Sequence, residues 1–326
     1  MIDLKQILKE RVLITGGAGF IGSNIVEALM NMGHLHVVVM DNLETGNLAN
    51  LEPWLGEGKL SFVQGNIRNY EDCVKACEGI NVVLHQAALG SVPRSIEKPL
   101  ETHATNTNGF MNMLEAARVM NVKRFVYASS SSVYGDDLSL PKKEEITGRP
   151  LSPYAVSKKT NELYASVYAA LYNMQIVGLR YFNVFGPKQN PSGPYAAVIP
   201  IFINKLLQRQ HCTIYGNGNN RRDFTYVSNV VDANLRAATY TGNEVWGQVM
   251  NVAFGNTKTI NELYAMIQSK LDVVGNPIYA APRVGEIKDS FADISKIKNV
   301  FGFEPEVSLE EGIKKTIQWY RSIQEK

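Results

Sequence analysis

The chain has 326 residues, 45% of them hydrophobic and 20% charged, with a formal net charge of +2. That length exceeds the roughly 250 to 300 residues a single core sustains and predicts two lobes, while the balanced charge, with no Lys/Arg block, excludes a dedicated nucleic-acid binder. No apolar run reaches the roughly 18 residues of a membrane span and "MIDLKQILKE" lacks the features of a secretory signal, so a cytoplasmic protein that touches no membrane is expected.

From residue 11 to about 182 the sequence alternates short β-rich runs with helical patterns. The expected strands are "RVLIT", "HVVVM", "LSFVQG", "NVVLHQ", "RFVYAS" and "IVGLRYF", with helices such as "FIGSNIVEALMNM" and "FMNMLEAARVM" between them. Repeated βα units predict an α/β fold, a Rossmann-type doubly wound parallel sheet. Beyond Phe182 the Pro- and Gly-punctuated segments "GPKQNPSGPY" and "YGNGNNRRDF" read as loops able to close over a ligand, and mark a second, smaller α/β lobe. "VSNVVDANLRAATY" and "GQVMNVA" are expected back on the first lobe, the tail helices on the second. The expected lobes are therefore 1–182 plus about 228–255, and about 183–227 plus 256–326.

Cys73 and Cys77 are spaced i, i+4 on an expected helix and Cys212 stands alone, a pattern of reduced buried thiols. With no histidine near the pair, no metal site is expected, and His85 at a strand end reads as a packed imidazole.

"VLITGGAGFIG" joins the first strand to the first helix and carries Gly16, Gly19 and Gly22, with Gly17, Gly19 and Gly22 at G-x-G-x-x-G spacing. Glycines there allow a tight turn and close backbone approach to a pyrophosphate, and the helix N-terminus offers unpaired N–H groups. Alone the motif fits an ordinary strand-to-helix turn. Asp41, about 20 residues on at the end of the second strand, adds a carboxylate placed to bond a ribose 2'-hydroxyl and to repel a 2'-phosphate, which favours NAD over NADP.

"LSPYAVSKK" opens a long helix on which Tyr154 and Lys158 share a face. A tyrosine with a pKa of about 10 is a poor base at neutral pH, and a nearby ammonium favours its phenolate. Tyr154 is therefore a candidate base. Four hydroxyls, Ser129 to Ser132, sit just ahead of it at the end of "RFVYA".

Tyr154-Ala-Val-Ser-Lys158, the glycine motif and the strand-end serines together resemble the extended short-chain dehydrogenase/reductase family over nearly the whole chain. Within it, "HQAALGSVPRSIEKP", "LRYFNVFGP", "YAAVIP", "RRDF" and "ADISK" are most similar to the UDP-N-acetylglucosamine 4-epimerases of bacteria and archaea. The resemblance implies reversible C4 epimerisation of UDP-N-acetylglucosamine to UDP-N-acetylgalactosamine through a 4-keto sugar, with a hydride held meanwhile on NAD. It assigns Ser130, Tyr154 and Lys158 to catalysis and Ser131 and Ser132 to the sugar, leaving Ser129 structural. Dehydratase relatives carry an Asp-Glu pair at Ser131 and Ser132, because elimination needs an acid and a base; hydroxyls alone favour hydride and proton exchange.

The same resemblance implies further cofactor contacts at Phe20, Ile21, Asn42, Gly46, Asn66, Ile67, Gln86, Ala87, Ala88, Asn106 and Tyr181. The UDP-sugar would meet Ser91, Arg94, Asn183, Ala197, Val198, Tyr215, Asn217, Arg222, Arg283, Glu286 and Ser290, the two last-named arginines taking the pyrophosphate, for which a planar guanidinium fork is suited. Ser290 borders the sugar 2-substituent, where a small residue leaves room for an acetamido group. Two positions depart from the pattern: Asn66 stands where many relatives have Asp, and Glu286 replaces the usual Asp. UDP-glucuronate and UDP-glucose/galactose epimerisation stay open, as do a cofactor-releasing dehydrogenase and a catalytically silent NAD-binding regulator. A homodimer built on "LETHATNTNGFMNMLEAARVM" and "YAVSKKTNELYASVYAALY" is expected, since those helices carry apolar faces that another subunit or the monomer itself has to cover.

Overall fold

The computed structural model describes residues 3–56, 58, 60–192, 195–282 and 289–324. Six strands form in the first half: β1 (Val12–Thr15), β2 (Val37–Asp41), β3 (Leu60–Gln64), β4 (Val82–His85), β5 (Arg124–Ser130) and β6 (Gln175–Tyr181). Short strands follow, β7 (Val184–Phe185), β8 (Thr213–Tyr215), β9 (Arg221–Asp223) and β10 (Thr225–Tyr226), before β11 (Gln248–Val252), β12 (Thr257–Thr259), β13 (Ile278–Ala280) and β14 (Asp289–Ser290). The helices are α1 (Phe20–Asn31), α2 (Tyr70–Ala76), α3 (Val92–Glu97), α4 (Pro99–His103), α5 (Gly109–Val119), α6 (Pro153–Tyr172), α7 (Val198–Leu207), α8 (Val227–Thr239), α9 (Ile260–Leu271), α10 (Ser295–Phe301) and α11 (Leu309–Gln324).

Seven strands make one parallel sheet in the order β11-β6-β5-β4-β1-β2-β3. All four residues of β1 and of β4 are buried, as an apolar run in a sheet covered on both faces requires. The strand period of two sorts them: Val12, Ile14, Val82, Leu84 and Val126 join the core under α1 and α8, whereas Leu13, Val83, Phe125 and Tyr127 join the core under α2 and α5. Strand order reverses on either side of β1, and a cleft opens at the carboxyl ends of the strands there, as in open α/β sheets generally.

A third core gathers Phe185, Ile199, Phe202, Leu263, Ile267, Ile313 and Ile317 from β7, α7, α9 and α11. Small sheets β10-β7, β12-β9-β14 and β13-β8 accompany it. One helix departs from the expected division. Ile297, Phe301 and Phe303, in and just after α10, belong to the core under α1 and α8, because an apolar face that short is covered best by the β11 edge and α8 it packs against.

Cys73, Cys77 and Cys212 are free and buried, and burial pushes the first two thiols up to about 12, so they stay protonated and inert. Among the described residues no helix is long and apolar enough to cross a membrane, and no cluster of His, Cys, Asp or Glu could hold a metal.

Candidate active site

The turn after β1 is shaped by close approach. Gly16 has φ of 66°, and a Cβ there would stand 2.8 Å from the backbone of Ala87; one on Gly22 would stand 2.2 Å from the Gly16 carbonyl. Gly19 caps α1, leaving the first N–H groups of that helix facing the cleft. Asp41 ends β2 and accepts from the N–H groups of Ala18 (3.0 Å) and Leu43 (2.8 Å), and burial outweighs those bonds to push its pKa up. Gly46 leaves the space beside that carboxylate open. Asn66 also reaches the cleft, with its amide oxygen accepting from the Arg68 N–H.

At the other end of the cleft, α6 is started by Ser152, whose hydroxyl accepts from the Ala155 N–H, and by Pro153 in its first turn. This start sets Tyr154 one turn before Lys158. The Lys158 ammonium donates to the Ala128 carbonyl at 2.8 Å and lies 6.0 Å from the Tyr154 ring centroid. Burial pushes Lys158 down to about 8. It also pushes Tyr154 up, against a hydrogen bond with Ser130 that pulls it down. Burial is the larger influence on Tyr154, and the Lys158 ammonium is spent partly on Ala128.

The four serines divide. Ser129 donates to Glu162 at 2.6 Å and is structural, as expected. Ser130 bonds Tyr154 and accepts from the Ser132 N–H at 3.1 Å, and the buried Ser132 hydroxyl has no partner.

One continuous cleft of about 2150 Å³ is lined by every expected cofactor residue but one, Asn106, and by Ser91, Arg94, Ser130, Ser131, Ser132, Asn183, Ala197, Arg222 and Ser290. Asn106 is corrected to a supporting residue: its amide is spent on both backbone groups of Leu89, positioning the loop that does line the cleft. Val198 instead packs on the α7 core. Asn217 lines a separate hollow with Tyr279 and Pro282, and Tyr215 lies on β8, which pairs with β13. Arg283 and Glu286 lie outside the described residues.

The structure adds residues that spacing alone did not point out. Asn234 on α8 donates to the Tyr181 hydroxyl at 2.9 Å and accepts from Gln86 at 3.0 Å, while Tyr181 donates to Gln86 at 3.0 Å. Tyr195 bonds Glu97 on α3, and the Arg94 guanidinium stacks 4.9 Å over its ring. Lys188 bonds Glu27 on α1 at 2.6 Å. The loop after β7 is therefore fastened to the first lobe at both ends. His85 bonds Thr15 at 2.8 Å, and burial pushes it down to about 3, a neutral packed ring.

The family model described as the NAD dependent epimerase/dehydratase family matches residues 12–253, a span holding the glycine turn, the serine run and the Tyr154–Lys158 pair. The chain belongs to that family. It is 39% identical over 313 residues to a putative UDP-glucose 4-epimerase of Methanocaldococcus jannaschii, covering 95% of this chain and 98% of that one. Among solved structures it resembles a UDP-N-acetylglucosamine 4-epimerase from Methanobrevibacter ruminantium in complex with UDP-N-acetylmuramic acid, at TM-score 0.91 and 38% identity over 96% of this chain and 99% of that one. It also resembles the Thermus thermophilus UDP-glucose 4-epimerase in complex with NAD, at TM-score 0.85 and 36% identity over 95% and 99%. The family is NAD-dependent, and the cradle fits: positions 16, 19 and 22 are ones that a Cβ would crowd, and Asp41 ends the strand beside them. Gly16, Gly19, Gly22, Asp41, Gln86, Tyr181 and Lys158 would hold NAD.

Proposed function

We propose that the protein interconverts UDP-N-acetylglucosamine and UDP-N-acetylgalactosamine at C4. One observation carries this reading: the wall beside Tyr154 offers hydroxyls, Ser130 to Ser132, where an elimination would need carboxylates. NAD, when bound, supplies a place to store the C4 hydride. Tyr154 takes the C4 hydroxyl proton and later returns it, with Ser130 holding the same oxygen and the Lys158 charge favouring the phenolate. Arg222 holds the pyrophosphate as an anchor about which the sugar turns, and Arg283 and Glu286 complete the diphosphate and ribose contacts.

The 2-substituent reading rests on Ser290. It is in register with Arg222 on adjacent strands and lines the cleft as a small side chain, leaving volume for an acetamido group. The solved relative named as a UDP-N-acetylglucosamine 4-epimerase supports it. A second reading, UDP-glucose epimerisation, is favoured by the name of the M. jannaschii relative. Residues 1–182 with about 228–255 are proposed to bind NAD, and about 183–227 with 256–326, less α10, to bind the UDP-sugar in the cytoplasm.

We further propose a homodimer. Leu100 on α4 is 84% exposed, and Leu163, Val167 and Leu171 on the adjoining α6 are also exposed, an apolar face that a second copy would cover.

Proton NMR of the anomeric region, after mixing the purified protein separately with UDP-N-acetylglucosamine, UDP-glucose and UDP-glucuronate, tests the function. Fastest conversion of the N-acetyl sugar is expected. Conversion of UDP-glucose or UDP-glucuronate alone overturns the substrate, and no conversion with NAD supplied overturns the activity.

A further inference from the structure

Gln86 stands one position past β4 and Tyr181 at the last position of β6, two strands apart in the sheet with β5 between them. Ala128 of β5 shares a core with Leu179 and Tyr181 on the face where α8 packs, and its methyl group is small enough for longer side chains to meet across it. Asn234 of α8, buried and shut off from the cleft, bonds both Gln86 and Tyr181 there. Donor and acceptor counts fix the sense of this ring of three side chains. The Val230 carbonyl, one turn back on α8, can only accept, so the atom 2.8 Å from it is the Asn234 amide nitrogen. The other N–H of that nitrogen goes to the Tyr181 hydroxyl at 2.9 Å. Tyr181 accepts there and sends its one proton to Gln86 Oε1 at 3.0 Å, Asn234 Oδ1 lying farther off at 3.3 Å. Asn234 Oδ1 is left to accept from Gln86 Nε2, also at 3.0 Å.

We propose that Asn234 is a positioning residue for the cofactor: it sets which way Gln86 and Tyr181 turn their donors and acceptors toward NAD. The proposal rests on the reading of Gln86 and Tyr181 as cofactor contacts, both of which line the cleft. Left to themselves the two would have no fixed sense. A tyrosine hydroxyl can donate to an amide oxygen or accept from an amide nitrogen, so Gln86 could turn over and still be bonded. Asn234, tied to a carbonyl of its own helix, allows one orientation only. Among the described residues Gln86 makes no further side-chain bond, so one N–H of its amide is left for a ligand, and its direction is set before the ligand arrives. A donor already aimed loses less freedom on binding than a free rotor does, which strengthens retention without any contact from Asn234 itself.

The test follows the release of radiolabelled NAD from the loaded enzyme into an excess of unlabelled NAD, with no sugar present. Asn234→Leu, close in volume and without polar atoms, should speed release by about 3- to 10-fold. Where that variant does not fold, Asn234→Asp takes its place: it is the same shape, keeps the acceptor for Gln86 and loses the donor for Tyr181, and the same direction of change is expected. In the background Gln86→Leu, Tyr181→Phe nothing remains for Asn234 to orient, so adding the Asn234 substitution should alter release by less than about twofold. Release at the wild-type rate from the Asn234 variant, or the same acceleration in that background, overturns the proposal and leaves Asn234 as a brace between α8 and the sheet. If Gln86→Leu, Tyr181→Phe by itself leaves release unchanged, the reading of that pair as cofactor contacts fails and the proposal falls with it.

Discussion

The carbonyl oxygen of Gly16 lies 2.2 Å from the point where a Cβ on Gly22 would stand, so the first turn of α1 is pressed directly on the turn that precedes it. The two glycines are one fitted contact. Gly22→Ala should force them apart at a cost of about 1 to 3 kcal/mol, lowering Tm and weakening NAD retention together. Thermal unfolding with and without added NAD checks this, and a variant that melts with the wild type and retains NAD equally would refute the contact.

Tyr154→Phe removes the hydroxyl that bonds Ser130 and that, on the proposed reaction, exchanges the sugar proton. Turnover should fall by about a hundredfold to ten-thousandfold while NAD stays bound. Assaying the variant for both conversion and cofactor absorbance separates these, and near-normal turnover would show that the base lies elsewhere.

Ser132 carries a buried hydroxyl without a partner. An unpaired buried polar group costs about 1 to 3 kcal/mol, so Ser132→Ala should raise or at least hold the Tm of the sugar-free protein. KM for the UDP-sugar should rise. A lower Tm with unchanged KM would mean that the hydroxyl serves the fold.

Burial lowers Lys158 from 10.5 to about 8, so between those values the unfolded chain binds the proton that the native chain has released. Stability of the wild type relative to Lys158→Met should therefore rise as pH climbs from about 8 toward 10.5, by roughly 2 to 4 kcal/mol, and stay level below 8. Urea unfolding of both proteins across that window measures it. Parallel curves would mean that the native ammonium is not strained.

Ser290→Tyr would fill the space assigned to the acetamido group. The expected result is a drop of about 10- to 200-fold in kcat/KM for UDP-N-acetylglucosamine relative to UDP-glucose. Equal losses on both sugars would place the 2-substituent elsewhere.

The parallel sheet was legible because β1, β2, β4, β5 and β6 are short apolar runs separated by helical periodicity, and the candidate pair was legible because Tyr154 and Lys158 are close in sequence. Ser129 and Glu162 are 33 positions apart, and their bond exists only once α6 lies across β5. Glu162 does carry a faint signal, one more step of four along the Tyr154–Lys158 stripe. Asn106 shows the converse: family position suggested a ligand contact, whereas a kink in the chain, the π-helical turn at Ala104–Asn108, aims its amide at Leu89. The placement of α10 was hidden because a seven-residue helix holds too few apolar positions to say which core it joins.

The chain passes between the core under α1 and α8 and the third core after β6, on entering α8, after β11, before α10 and again before α11. Two bodies joined by one linker can swing; bodies sewn together at five points along a common floor resist rotation about any single hinge. On the proposed reaction, a sugar that shows both of its faces to Tyr154 would then have to turn over by itself within the cleft. On this footing the range of sugars accepted is a matter of clearance, set by the widest profile a ring presents midway through its turn.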